Sequence, residues 1–334
     1  MNKRMLITLD GSELSETLFP YAKEMAGRLG FEMIFLYVCK SHESESLAVY
    51  RAYVEHMAEI VASEAVEIRE KTGTQMQDQP VKAEGKVAIG HPAEEILRCA
   101  DEKKMDLLLM ATHGRSGIKR WALGSVADKV LRSSTVPVLL VRAAALEKTA
   151  DDEGQIRKIV VPLDGSEMAE SVLPHIEMIA KQRDGELIDV VLLMVCEPLV
   201  IPPIATTPIT TMEVPTNWGK IVEEHIAYSN KAAREYLAGV EARLNNAGLK
   251  VSTEVVDGVP AQEIIDYANS IPCSLIAMVT HGRSGLGRWA YGSVAEKVLS
   301  GASRPLLLVR PPSDEGLPLL QTFVGTVRSL PPTI

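Results

Sequence analysis

The feature that most constrains this chain is that it repeats itself. Met110–Leu131 reads MATHGRSGIKRWALGSVADKVL and Met278–Leu299 reads MVTHGRSGLGRWAYGSVAEKVL, so 17 of 22 positions agree at an offset of 168. Gly90-His91-Pro92-Ala93 and Gly258-Val259-Pro260-Ala261 keep that offset. Leu9-Asp10-Gly11-Ser12-Glu13 and Leu163-Asp164-Gly165-Ser166-Glu167 are 154 apart, so the second copy carries 14 extra residues between these landmarks (168 minus 154). The Pro-, Thr- and Ile-rich stretch 197–215 is their expected source. A duplication of this length predicts two domains of one fold, which suits 334 residues at roughly 150 per domain.

Each copy alternates short apolar runs with amphipathic stretches. Arg4–Leu9, Phe31–Cys39, Met105–Thr112 and Val136–Arg142 read as strands, as do Lys158–Leu163, Leu187–Cys196, Leu275–Thr280 and Pro305–Arg310. A third strand ends near Gly90 or Gly258, and Pro92 and Pro260 suit the first turn of the helix that follows. Leu14, Leu18, Ala22, Met25 and Leu29 recur at helical spacing, and long helices are expected over Leu47–Lys71 and Lys220–Ala247. Apolar strands alternating with helices predict an α/β fold: two repeated doubly wound (Rossmann-like) domains, each with a five-stranded parallel sheet. The expected layout is domain one at 1–145, a linker at 146–155, domain two at 156–311 and a tail at 312–334.

Composition excludes several classes. Charged residues are 24% and hydrophobic ones 46%, which is globular, and the net charge of −9 with 4% aromatics argues against a nucleic-acid partner. No apolar run reaches the roughly 18–20 residues that span a bilayer, so no membrane partner is expected. Cys39, Cys99, Cys196 and Cys273 form no close pairs and suggest neither a zinc knuckle nor a disulfide framework. The expected compartment is the cytoplasm.

In a doubly wound sheet ligands bind beyond the carboxyl ends of the strands, at the switch point. The segments Thr112-His113-Gly114-Arg115-Ser116-Gly117 and Thr280-His281-Gly282-Arg283-Ser284-Gly285 fall at that end. Gly124-Ser125 and Gly292-Ser293 then open a helix. Glycines permit close backbone approach and positive φ, and a helix N-terminus presents free N–H groups that suit phosphate. Arg115, Lys119 and Arg120 add positive charge in copy one; Arg283 and Arg288 do so in copy two, where Gly287 replaces Lys119. Ser125-x-x-Asp128 and Ser293-x-x-Glu296 also fit capping boxes. His113 and His281 have no identifiable nucleophile and orienting carboxylate beside them, so no catalytic residue is assigned. Asp10 and Asp164 read equally as turn residues or as ligand contacts. Trp121 and Trp289 read as packing residues.

These motifs resemble the universal stress protein family in its tandem form. The pattern G-x2-G-x9-G-Ser/Thr of its ATP-binding members is similar to Gly114, nine residues, then Gly124-Ser125, and to Gly282, nine residues, then Gly292-Ser293. The openings at Ile7–Ser12 and Val160–Ser166, and the endings at Pro137–Arg142 and Pro305–Arg310, resemble it too. The resemblance implies ATP, with Mg²⁺ or Mn²⁺ held through the phosphates, between the first and fourth strands. It implies adenine near Val38 and Val195, and the nucleoside near Asp10 and Asp164, with Thr8 and Pro162 at the first strand's end. It implies ribose and phosphates along Ala111–Gly117 and Val279–Gly285, and phosphates at Gly124, Ser125, Val126, Gly292, Ser293 and Val294. Ala111 and Val279 replace the first motif glycine, and the bulkier Val279 with the loss of Lys119 predicts a tighter first site. The resemblance also implies an intramolecular pseudo-dimer through the fifth strands; homodimerisation of the whole chain stays open. The function implied is a stress-response sensor or regulator. A slow ATP-hydrolysing enzyme and a nucleotide-free protein-interaction module stand as alternatives.

Overall fold

The computed structural model describes residues 3–40, 46–72, 80–112, 123–142, 155–181, 188–198, 218–280 and 291–310. In the first repeat the order is β1 (Arg4–Leu9), α1 (Glu13–Glu16), α2 (Phe19–Leu29), β2 (Glu32–Cys39), α3 (Leu47–Thr72), β3 (Ala83–Ile89), α4 (Pro92–Glu102), β4 (Leu107–Ala111), α5 (Ser125–Ser133) and β5 (Val138–Val141). The second repeat follows the same order: β6 (Lys158–Pro162), α6 (Glu167–Glu170), α7 (Leu173–Ala180), β7 (Asp189–Cys196), α8 (Trp218–Asn246), β8 (Lys250–Asp257), α9 (Pro260–Ser270), β9 (Leu275–Val279), α10 (Ser293–Gly301) and β10 (Leu306–Val309).

The helix expected after β1 is two helices. Pro20 sits in the first turn of α2, where its ring would clash with the Glu16 carbonyl in a continuous helix. Pro174 divides α6 from α7 in the same way. Ser12 and Ser166 cap the short helices by accepting from the N–H of Ser15 and Ala169.

The strands form one ten-stranded sheet in the order β3-β2-β1-β4-β5-β10-β9-β6-β7-β8. Pairing is parallel within each repeat and antiparallel at the join, where Leu140, Leu139 and Val138 face Leu306, Leu307 and Leu308. All eight side chains of β5 and β10 are at most 3% exposed. Burying each contributes about 1.5–3 kcal/mol, and the pairing removes two apolar edges. The core lies on both faces of the sheet. α2, α3, α7 and α8 cover one, through residues such as Met25, Val61, Ile176 and Leu237; α4, α5, α9 and α10 cover the other, through Ile96, Val130, Ile264 and Val298.

Two arginines clamp the join. Arg310 Nη1 donates to the Arg132 carbonyl at 2.9 Å, and Arg142 Nη1 donates to the Ser300 carbonyl at 3.3 Å. Arg142 and Arg310 are counterparts, as are Arg132 and Ser300, so each fifth strand ties down the last turn of the other repeat's final helix. Linker residues 146–154, residues 199–215 of the expected insertion and the tail at 312–334 lie outside the described residues. Among those described, no helix is long and apolar enough to cross a membrane.

Candidate functional site

Strand order reverses between β1 and β4, and again between β6 and β9, so each repeat has a switch point. β1 and β4 pair only as far as Ile7 and Leu109, although β4 runs on to Ala111. β2 outruns β1 as well: its pairing with β1 ends at Tyr37, while that with β3 continues to Cys39. The strand ends therefore splay and open a cavity of about 390 Å³. That is within the range of about 300–1,000 Å³ common for small-ligand clefts.

Thr8, Asp10, Val38, Ala111, Thr112, Gly124, Ser125 and Val126 all line it. Thr8 Oγ1 donates to the Leu109 carbonyl at 3.2 Å and bridges the gap between the parting strands. Asp10 Oδ1 accepts from the N–H and hydroxyl of Ser12, at 3.0 and 2.6 Å, around Gly11 at φ 75°. Asp164 and Ser166 repeat this turn at the same distances, with Gly165 at φ 82°. The turn reading of both aspartates is thus realised, with Asp10 still on the cavity wall.

Buried Thr112 donates its N–H to Val141 and accepts from the Gly124 N–H at 2.9 Å. Thr280 does the same with Val309 and Gly292. These bonds fix where α5 and α10 begin, with Gly124 and Gly292 as N-caps and no side-chain cap on either helix. The capping-box expectation is therefore corrected: Ser125 and Ser293 are the first helical residues, too far along to cap. A second correction concerns the glycines. Gly124 and Gly292 have φ −60° and −61°, which any residue adopts, so positive φ is not what glycine supplies there. Asp128 is the first residue of α5 to bond back, to the Gly124 carbonyl. The N-terminal turn of α5 thus opens on the cavity, where its orphan N–H groups and partial positive charge favour an anion.

Lys40, one residue past β2, also lines the cavity, as do Tyr37, Ile96 and Met110. Sequence reasoning missed all four. Lys40 carries no motif signal, Tyr37 and Met110 fall inside runs read only as strands, and Ile96 drew no reading. The lining thus combines polar groups at α5, Asp10 and Lys40 with apolar side chains at Val38, Ile96, Met110 and Ala111. In the second repeat, Pro162, Asp164, Val195, Val279, Thr280, Gly292, Ser293 and Val294 occupy the equivalent positions. Val279 is 7% exposed and buried in the core. His113–Gly117 and His281–Gly285, with the nearby Trp121 and Trp289, lie outside the described residues. Burial and the Asp257 carboxylate push the Cys196 thiol up, which opposes thiolate chemistry there.

The sheet order, the splayed strand ends and the uncapped helix starts define a tandem doubly wound α/β protein with a ligand-type cleft at a switch point. The chain belongs to the universal stress protein family, whose family model matches residues 1–142 and again 155–310. Universal stress protein MJ0531 of Methanocaldococcus jannaschii is 32% identical over 163 residues, covering 49% of this chain and 87% of that protein. Universal stress protein Slr1230 of Synechocystis sp. is 23% identical over 329 residues, covering 92% of this chain and 100% of that one. The crystal structure of a universal stress protein from Archaeoglobus fulgidus superposes with a TM-score of 0.58 at 21% identity, covering 92% and 98% of the two chains, and shares the fold.

Proposed function

We propose that the chain binds ATP in the first-repeat cleft, with Mg²⁺ or Mn²⁺ on the phosphates, and serves as a cytoplasmic nucleotide-responsive regulator in the stress response. The observation that carries this reading is the uncapped start of α5, which opens on a cavity that also exposes Lys40. Backbone N–H groups at Ser125, Val126 and Ala127 and the Lys40 ammonium would neutralise phosphate oxygens. Val38, Ile96 and Met110 would give an apolar seat for the base. Gly124 would let the backbone approach a phosphate without a side chain between them. None of the four cysteines is in a disulfide and three of them are buried, which accords with a reducing compartment.

The test is to denature the purified protein and identify released nucleotide by HPLC and intact mass. Calorimetric titration of the nucleotide-free chain with ATP and Mg²⁺ follows. Saturable binding with at least one equivalent supports the reading; neither released nucleotide nor binding at millimolar ATP overturns it.

A further inference from the structure

The two switch points carry opposite charge at one matched position. Val38–Ala88 and Val195–Val256 are equivalent register pairs, as are Cys39–Ile89 and Cys196–Asp257. The Cys39 carbonyl accepts from Gly90 and the Cys196 carbonyl from Gly258, both at 3.0 Å. The next residue along is Lys40 in one repeat and Glu197 in the other, and both are exposed. Lys40 lines the first cleft. The second repeat places a carboxylate there, and a further one, Asp257, where the first repeat has Ile89. Asp257 Oδ2 accepts from Asn230 Nδ2 of α8 at 3.2 Å.

Val279 adds two methyl groups where the first repeat has Ala111, on the strand that flanks the switch point. Yet the second repeat keeps the other parts of the frame: the Asp164 turn, the Thr280–Gly292 staple and an uncapped α10. A frame kept while one matched rim position changes sign is suited to a related ligand with less negative charge.

We propose that the residue after the second strand of each repeat sets how much phosphate its cleft accepts. Lys40 selects the polyphosphate in the first cleft. Glu197 turns the second toward an adenine nucleoside with one phosphate or none. This rests on the adenine-nucleotide reading of the clefts. Rim charges act through solvent, so reversing one changes affinity by about two- to thirty-fold and the effect weakens with salt.

The experiment is calorimetric titration of the full, nucleotide-free chain with ATP, AMP and adenosine, each with Mg²⁺, at low and high ionic strength. Wild type, Lys40→Glu and Glu197→Lys are compared. The expected wild type has one cleft that prefers ATP and a second that prefers AMP or adenosine. Glu197→Lys is expected to tighten ATP at the second cleft two- to thirty-fold at low salt and less at high salt, with adenosine unchanged. Lys40→Glu should weaken ATP at the first cleft by a similar factor. If wild type binds ATP but Glu197→Lys leaves every ATP constant unchanged, or shifts adenosine equally, the charge assignment is overturned and the nucleotide reading stands. If wild type binds none of the three ligands, both fall.

Discussion

Tyr291 of the second repeat donates its hydroxyl to Asp128 of the first, 3.2 Å from Oδ1. The Arg132 guanidinium pairs with the same carboxylate at 2.9 Å and lies 4.5 Å from the centre of the Tyr291 ring. The counterparts of these three residues are Leu123, Glu296 and Ser300, which cannot form such a cluster. The join is therefore symmetric in its strands and asymmetric in its helices. Tyr291→Phe should destabilise the chain by about 0.5–1.5 kcal/mol through the lost hydrogen bond. Tyr291→Leu should cost more, because about 0.5–1 kcal/mol of cation–π attraction goes with the ring. Urea unfolding followed by circular dichroism checks the order.

Leu139 and Leu307 occupy the same place in their repeats and face each other across the join, both fully buried. Each Leu→Ala change should cost about 2–5 kcal/mol. The double variant should depart from additivity by about 0.5–3 kcal/mol, since one enlarged void replaces two separate ones. A double-mutant cycle on the first unfolding transition measures this.

Gly124→Val should retain the fold, since φ −60° suits valine, and should lose ATP at the first cleft. Its branched side chain would stand between the backbone and the phosphate. Calorimetry alongside an unchanged far-ultraviolet spectrum is the check. Wild-type binding strength in this variant would remove Gly124 from the phosphate site.

ATP with Mg²⁺ should raise the unfolding temperature. A ligand confined to the native state adds about 2.7 kcal/mol at a hundredfold excess over its dissociation constant. For repeats of this size that is about 5–10 °C. Differential scanning calorimetry of nucleotide-free protein gives the shift.

Burial holds the His175 imidazole below its ordinary pKa of 6.5. The folded state thus favours the neutral ring, while the unfolded chain takes up a proton from about pH 6.5 downward. Stability from this group is full above 6.5 and lost as pH falls toward the lowered folded value. Wild type should lose more stability than His175→Gln between pH 7.5 and 5.5 in parallel urea titrations.

Much of this architecture is legible in the residues. The duplicated THGRSG segment sets the repeat, and apolar runs such as Leu107–Ala111 and Leu275–Val279 mark buried parallel strands. The Asp-Gly-Ser turns locate the first switch-point strand. The break at Pro20 was also written in the chain, but the apolar spacing from Leu14 to Leu29 hides it. Which residue caps α5 was not legible. Serine is the better cap by chemistry, yet the Thr112–Gly124 bond, a tertiary contact, assigns the position to glycine. Lys40 was missed because one lysine after a strand is unremarkable alone; its meaning appears only beside Glu197, once sheet register aligns the two.

The join of β5 and β10 also bears on how the halves can differ. Because Leu139 and Leu307 are matched residues on the symmetry axis, the same surface would pair one repeat with a second copy of itself. In such an assembly every substitution appears twice, so a tyrosine that helps on one side recurs on the other. Fusion into one chain lifts that restriction and makes docking intramolecular, independent of protein concentration. Tyr291 opposite Leu123, and Lys40 opposite Glu197, are the freedom so gained: one half can keep an inherited task while the other is retuned.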